Sequence, residues 1–365
     1  MRWTYLPIVF ALSFIYTKMS YTDFLPKRES PVRLSRKPAS AEELKTLRPV
    51  RAKISPATFY KELTPNDVTT FTFVMNYQGV IVSDVHVENF GFVVDDNKKS
   101  SYSVFNFSQA STGLLFHDVM MHLTSAKALD KRVVWLEYFE AYKKGLKGES
   151  LQHSFYIEKG LSEALIDSEK IIAENMTSDY PIEFTKIRRK THHVGPVEKN
   201  LVMSELKKLF PKIEVFDFVE SNKNKGSYQL LARLRPTDQV EWLKIKENTK
   251  SEHDNVFEVS EKPSLVVVKD VLYSGRLDKS LHEILIDKKK FTLKFAHQFS
   301  SKLNFNEIPV EDYRDILLDQ AYVLGAIHKK SLSEQRVDEY IRSWAKIPAS
   351  IIDERVDELM NKFSK

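Results

Sequence analysis

Two rhythms of apolar and polar residues run along this chain, one of period two and one of period three to four, and they separate strand-like from helix-like stretches. Gly79-Val80-Ile81-Val82 and Phe90-Gly91-Phe92-Val93-Val94 are apolar runs of strand length, and between them Asp84, His86 and Asn89 fall within six residues. This is the pattern of two short buried strands bracketing a polar loop. Asp95-Asp96-Asn97 supplies a turn and Tyr102 to Phe107 reads as the return strand. Asn106 stands at its end, where a loop brings it back to face Asp84 and Asn89. Asn66 to Val74 also has strand character.

From Asp118 the spacing turns helical. Val119 to Leu123, then Val133 to Leu136 with Tyr138, Phe139 and Tyr142, predict two helices closed by Gly145 to Gly148. Ser154 to Ala173 predicts another, with Leu161, Ala164, Leu165 and Ile171 as its apolar face. Ile213 to Lys246 reads as a β-rich unit with strands at Ile213–Val219, Tyr228–Leu234 and Val240–Ile245. In the first, Ile213, Val215 and Val219 fall on one face and Phe216 and Phe218 on the other. Leu265 to Val268 reads as a buried strand, Phe291 to Leu303 and Tyr313 to His328 as amphipathic helices, and Val337 to Phe363 as a helical hairpin broken at Pro348. The mixture predicts an α+β fold.

Composition bounds the classes. With 365 residues and 42% hydrophobic content, the chain can bury a large core in one or two domains. The net charge of +5 is spread through the sequence and gives no argument for nucleic acid as a partner. Zero cysteines exclude disulfides, thiol catalysis and thiolate zinc sites. Residues 1–24 form an apolar N-terminal segment, 25–40 a Pro, Ser, Arg and Lys linker, and 41–365 the expected folded domain. Trp3 to Tyr16 resembles a signal h-region or a membrane tether through residues 1–17, yet it falls short of the roughly 20 apolar residues a spanning helix needs. The basic flank from Lys18 to Lys37 favours the cytoplasmic side, and an apolar helix packed on the domain is the plain alternative to membrane association or export.

The polar loop carries the clearest chemistry. Phosphoryl transfer needs a carboxylate beside the acceptor hydroxyl and oxygen ligands that hold magnesium on the nucleotide phosphates. Kinase-type sites set an Asp, an Asn about five residues on and an Asp after the next strand, and Asp84, Asn89 and Asn106 take those places, the third without its charge. The turn Asn222–Ser227 followed by the strand ending at Lys246 has the form of a phosphate-covering hairpin and a lysine strand, with Gly226 and Ser227 at the phosphates. A metallohydrolase on Asp84 and His86 lacks further ligands at useful spacing. The basic stretch 185–200 reads as a solvated loop: His192 and His193, adjacent in an extended chain, point to opposite sides and do not chelate together, and Arg188, Arg189 and Lys190 are outlying anion contacts left out of the site.

SDVHVENFGF resembles the Gly-Asp-Ala-His-Leu-x-Asn-Phe-Gly motif of a bacterial family, domain of unknown function 2252, which is similar in turn to the catalytic loop of aminoglycoside and choline kinases. Ser55-Pro56-Ala57-Thr58-Phe59-Tyr60 resembles its Ser-Pro-Phe-x-Phe-x segment, Gly113 and Asp118 match its Gly and Asp after the hairpin, and Trp242-Leu243-Lys244-Ile245-Lys246-Glu247 resembles its Phe-Leu-Gln-Val-Lys-Glu. The likeness covers residues 45–330. It implies a protein-kinase-like fold of the aminoglycoside-phosphotransferase kind, circularly permuted because the catalytic loop precedes the lysine strand. It also implies ATP and Mg2+ as cofactors, with Asp84 at the acceptor hydroxyl, His86 supporting the loop, Asn89 and Asn106 at the metal, and Gly226, Ser227 and Lys246 at the phosphates. Asp118 is expected to anchor the hairpin through backbone amides. The sequence departs from the family at Ser103, Asn106 and Ser108, where acidic residues are usual, and at Gln229, near which a second glycine is expected. Two classes follow: a phosphotransferase acting on a small-molecule or protein hydroxyl, or a pseudokinase that binds a nucleotide or partner.

Overall fold

The computed structural model describes residues 55–363, apart from 64–66, 68–69, 177–190, 222–225, 235–238, 249–250, 258–262, 278 and 300. The N-terminal segment, the linker, the predicted domain start at 41, and Arg188, Arg189 and Lys190 lie outside the described residues. No helix among the described residues is long and apolar enough to cross a membrane. In chain order the elements are α1 (Pro56–Glu62), β1 (Gln78–Ile81), β2 (Phe90–Val94), β3 (Ser100–Val104), β4 (Ser111–Leu114), α2 (Leu115–Leu129), α3 (Trp135–Lys147), α4 (Phe155–Met176), β5 (Thr191–His193) and α5 (Pro196–Leu209). There follow β6 (Glu214–Ser221), β7 (Ser227–Leu234), β8 (Gln239–Glu247), α6 (Glu252–Phe257), α7 (Leu265–Tyr273), β9 (Leu281–Ile286), β10 (Lys289–Phe295), α8 (Tyr313–Lys329), α9 (Glu334–Trp344) and α10 (Ala349–Phe363).

The fold is mixed α+β, with antiparallel pairs β1–β4 and β2–β3 and a six-stranded antiparallel sheet in the order β5-β6-β7-β8-β10-β9. Two main apolar cores form. The larger draws on the helices and the two small sheets, with Phe59, Phe116, Trp135, Tyr142, Trp344 and Leu359 among its members. The smaller covers one face of the six-stranded sheet, where Leu230, Leu243, Ile245 and Leu293 meet Val202 and Leu206 of α5. All five residues of β2 are buried, which is why FGFVV runs apolar without alternating. Helix α2 is buried on almost every side, so its apolar stripe widens into LFHDVMMHL. Gly148, with φ +71°, ends α3 by returning its amide to the carbonyls of Gly145 and Lys144.

Several expectations change. The described residues from 70 to 74 are not a strand: Phe71 and Val74 are buried at helical spacing, and the Phe71 and Met75 amides donate to carbonyls four residues back. Leu265–Val268 opens helix α7, capped by Ser264, because Leu265, Val268, Val271 and Leu272 are buried while Val266 and Val267 are exposed. The predicted helix from Phe291 begins as strand β10, which pairs with β8 and β9 on its two sides, and a 3-10 turn follows at Ala296–Phe299. In β6 a bulge between Val215 and Asp217 shifts the register, so Phe218 joins the face of Ile213 and Val215, and Val219 packs with Phe216 and Leu231. The described part of the basic stretch forms β5 and the start of α5, where His192 and His193 approach different carboxylates, Glu220 and Asp217.

Candidate functional site

An acid from the helix beneath it holds the loop after β1. Asp118, in the first turn of α2, accepts the Val82 amide at 2.6 Å on one oxygen and the Ser83 amide at 3.0 Å on the other. His328 Nε2 lies 3.3 Å from Asp118 Oδ2, and the Tyr142 hydroxyl is 2.6 Å from the other ring nitrogen of His328. This anchoring is the role expected of Asp118, since a carboxylate that accepts backbone amides fixes them strongly. The chain reverses at Ser83, whose φ of +64° is left-handed. Its carbonyl accepts the Tyr60 hydroxyl at 2.9 Å. Burial, reinforced by Asp118 and Asp84, raises the Tyr60 phenol far above its usual pKa and keeps it a neutral donor.

Beyond this turn Asp84 and His86 are both buried, with His86 Nε2 3.5 Å from Asp84 Oδ1. Asn89 then staples the loop to the end of the hairpin. Its amide nitrogen donates to the carbonyls of Asp84 at 2.6 Å and Asn106 at 2.8 Å, and its oxygen accepts the Asn106 amide at 3.0 Å. The Asn106 side-chain oxygen accepts the Ser108 hydroxyl at 3.0 Å. Lys246, from β8, donates to that same Ser108 hydroxyl at 2.8 Å across 138 residues of sequence. Partial burial lowers the Lys246 pKa while the field of Asp84 opposes the change. The structure therefore gathers Asp84, His86, Asn89, Asn106 and Lys246 in one chain of contacts.

Gly226 and Ser227 lie at the start of β7, where Ser227 pairs with Lys246 across the sheet. Gly226, at φ +75°, gives its amide to Glu220 at 2.6 Å, so that donor is turned to an internal carboxylate. Among the positions where acids are usual in the resembled family, Ser103 is buried and its hydroxyl faces the Leu272 carbonyl of α7, apart from Asn106 and Ser108. Both side-chain amides proposed for magnesium are neutral, and both already accept bonds from their own surroundings. Magnesium prefers charged hard oxygens, so this donor set does not fit it well. Among the described residues no group of three or more His, Asp or Glu side chains is placed to hold a metal. A cavity of about 90 Å³ beside Ser108, lined by Phe107, Leu265, Val268 and Thr292, is too small for a nucleotide base and sugar.

No family model matches the chain, and no curated protein or solved structure matches it. The site therefore stands on its geometry, and the geometry adds residues that the sequence did not single out. Lys294 on β10 is the direct partner of Lys244 on β8, and Lys302 donates to the Glu88 carbonyl at 2.9 Å. The signal for Lys294 was present in KKFTLKF, where Phe291 and Leu293 alternate with Thr292 and Lys294. Assigned to a helix, that alternation could not place the lysine beside Lys244 and Lys246.

Proposed function

We propose that this chain is a circularly permuted kinase-like protein, related to the family of domain of unknown function 2252, that binds ATP through its phosphates as a pseudokinase-type module. The observation that carries the reading is the Lys246 to Ser108 hydrogen bond, which joins the lysine strand to the loop of Asp84, Asn89 and Asn106. The hairpin β6–β7, the lysine strand β8 and the helices α6 and α7 follow in the order of a kinase's glycine loop, lysine strand and following helix. The neutral amides at 89 and 106 favour binding over turnover, because phosphoryl transfer relies on metal charge at the phosphates.

A second reading, ATP-dependent phosphotransfer to a small-molecule or protein hydroxyl, is favoured by Asp84, a buried carboxylate beside His86 and within the field of Lys246. Asp84 would then orient the acceptor hydroxyl and His86 would hold the loop. Thermal-shift titration with ATP, with and without magnesium, separates the two. Stabilisation in EDTA supports the module, stabilisation and hydrolysis that both need magnesium support the enzyme, and a flat response to ATP refutes both. Lys246→Ala should abolish the shift. Loss in Lys244→Ala but not in Lys246→Ala would move the phosphate contact two residues along β8.

A further inference from the structure

We propose that the side of β8 and β10 facing residues 105–108 is a polyanion site. There Lys294, Lys244, Lys246 and Lys302 hold two or three adjacent phosphates of a ligand without a metal ion. The proposal rests on Lys246 as a phosphate contact and names what completes it. Lys244 and Lys294 are directly opposed across the β8–β10 ladder, on the face away from Leu243, Ile245 and Leu293, and Lys246 follows Lys244 on that face. Like charges directly opposed in a sheet repel, and the Lys244 ammonium lies 4.4 Å from the ring centre of Trp242 on the same strand.

Lys294 is the telling member. Its backbone belongs to the β8–β10–β9 ladder, but among the described residues its ammonium makes no hydrogen bond or ion pair. Its ammonium instead lies 4.2 Å from the ring centre of Phe299, 5.3 Å from that of Phe105 and 5.8 Å from that of Phe107. Aromatic faces offset part of a desolvated cation's cost but do not neutralise it. Burial and the fields of Lys244, Lys246 and Lys302 together pull its pKa down. Lys302 sits over Phe105 at 4.4 Å and reaches the Glu88 carbonyl, which sets its charge beside the Asp84 loop. The four cations thus converge where Asn106 and Ser108 bring only neutral groups. A phosphate chain needs charge compensation at successive oxygens, and compact, rotatable ammonium groups supply it as point charges. In kinase-type sites a divalent ion does this work.

The test is calorimetric titration of the full chain with pyrophosphate, inorganic tripolyphosphate and ATP in EDTA, and with ATP again in magnesium, for the parent, Lys294→Met and Lys294→Arg. Tripolyphosphate should bind the parent more tightly than pyrophosphate does, with an affinity that falls as salt rises. Lys294→Met should stay folded and lose roughly tenfold or more in affinity, and Lys294→Arg should keep most of it. Absence of tripolyphosphate binding to the parent overturns the proposal, as does equal binding by Lys294→Met. The nucleotide reading fails separately. If ATP binds no more tightly than tripolyphosphate, the polyanion site stands and the nucleoside has no place in it. If ATP binds only with magnesium and is indifferent to Lys294→Met, ATP binding stands and the polyanion site falls.

Discussion

Ser83 holds a left-handed backbone with its hydroxyl buried and, among the described residues, unbonded. A residue with a Cβ loses about 1–2 kcal/mol in that conformation, and the resembled motif has glycine there. Ser83→Gly should raise the unfolding free energy by about 1 kcal/mol after glycine's own entropy cost is subtracted, and Ser83→Ala, which keeps the strained φ, should gain less; denaturant titration compares them. Asn106→Asp adds an anionic oxygen next to Asn89. It should strengthen magnesium-dependent ATP binding well above the parent, and an unchanged metal dependence would mean that Asn106 only shapes the hairpin turn. Lys294 titrates near pH 7 in the folded chain, against 10.5 for a free lysine. Between these values the unfolded chain binds more protons, so the residue's contribution to stability rises with pH, and its unfavourable effect is full below pH 7. Lys244 and Lys246 of β8 and Lys302 are the charged groups acting on it. Lys294→Met should therefore melt above the parent at about pH 6, with the gap narrowing above pH 7 and closing only towards pH 10.5. At this scale Asp84, Asn89, Asn106 and Lys246 were legible because short polar motifs survive as local patterns. Lys294 was not, since its meaning depends on a partner strand fifty residues away.

Among the elements, α3 and α8 pack more closely than side chains allow. A Cβ at Gly145 would stand 2.0 Å from the Tyr322 carbonyl oxygen, and one at Gly325 would stand 2.1 Å from that of Tyr142. The two glycines face each other's helix backbone, so neither clash can be relieved by rotating a side chain. Gly145→Ala should cost about 3 kcal/mol or more, read as a fall in the denaturation midpoint; a loss below about 1 kcal/mol would show that the helices separate easily. In the sequence Gly145 looked like part of a helix end. It is an interior crossing point, and Gly148 alone does the ending. Helices with long periodic stripes, such as α4, α8 and α10, could be read directly. Short apolar runs could not, because LVVV fits a strand and a helix equally until its neighbours decide which residues are covered. The β6 bulge exchanged faces for the same reason: one extra residue in a ladder leaves no mark in hydrophobicity.

For the whole molecule, the two cores differ in how the chain supplies them. The core of the six-stranded sheet comes from residues between Val194 and Leu293. The larger core joins the earliest described residues to the latest: Phe59 packs at 6.2 Å from Phe363, Phe116 stacks 5.9 Å from Trp344, and Arg355 donates to both oxygens of Asp67 and to the Glu62 carbonyl. The segregation of elements into α+β was legible, whereas this long-range closure was not, because periodicity says which face is buried and not against what. On the ribosome the consequence is an inverted schedule. The sheet unit can close once residue 295 has emerged, while the loop of Asp84, made much earlier, lies in a half that must wait for α10. At about 5–20 residues per second that delay is on the order of tens of seconds. Arrested nascent chains whose last exposed residue is near 300 should resist protease over 191–295 and be cut within 55–129; protection of 55–129 at that length would show the early half closing by itself. Of the described residues, those made first should thus fold last, and they are the ones that a cell's holding chaperones would have to shelter.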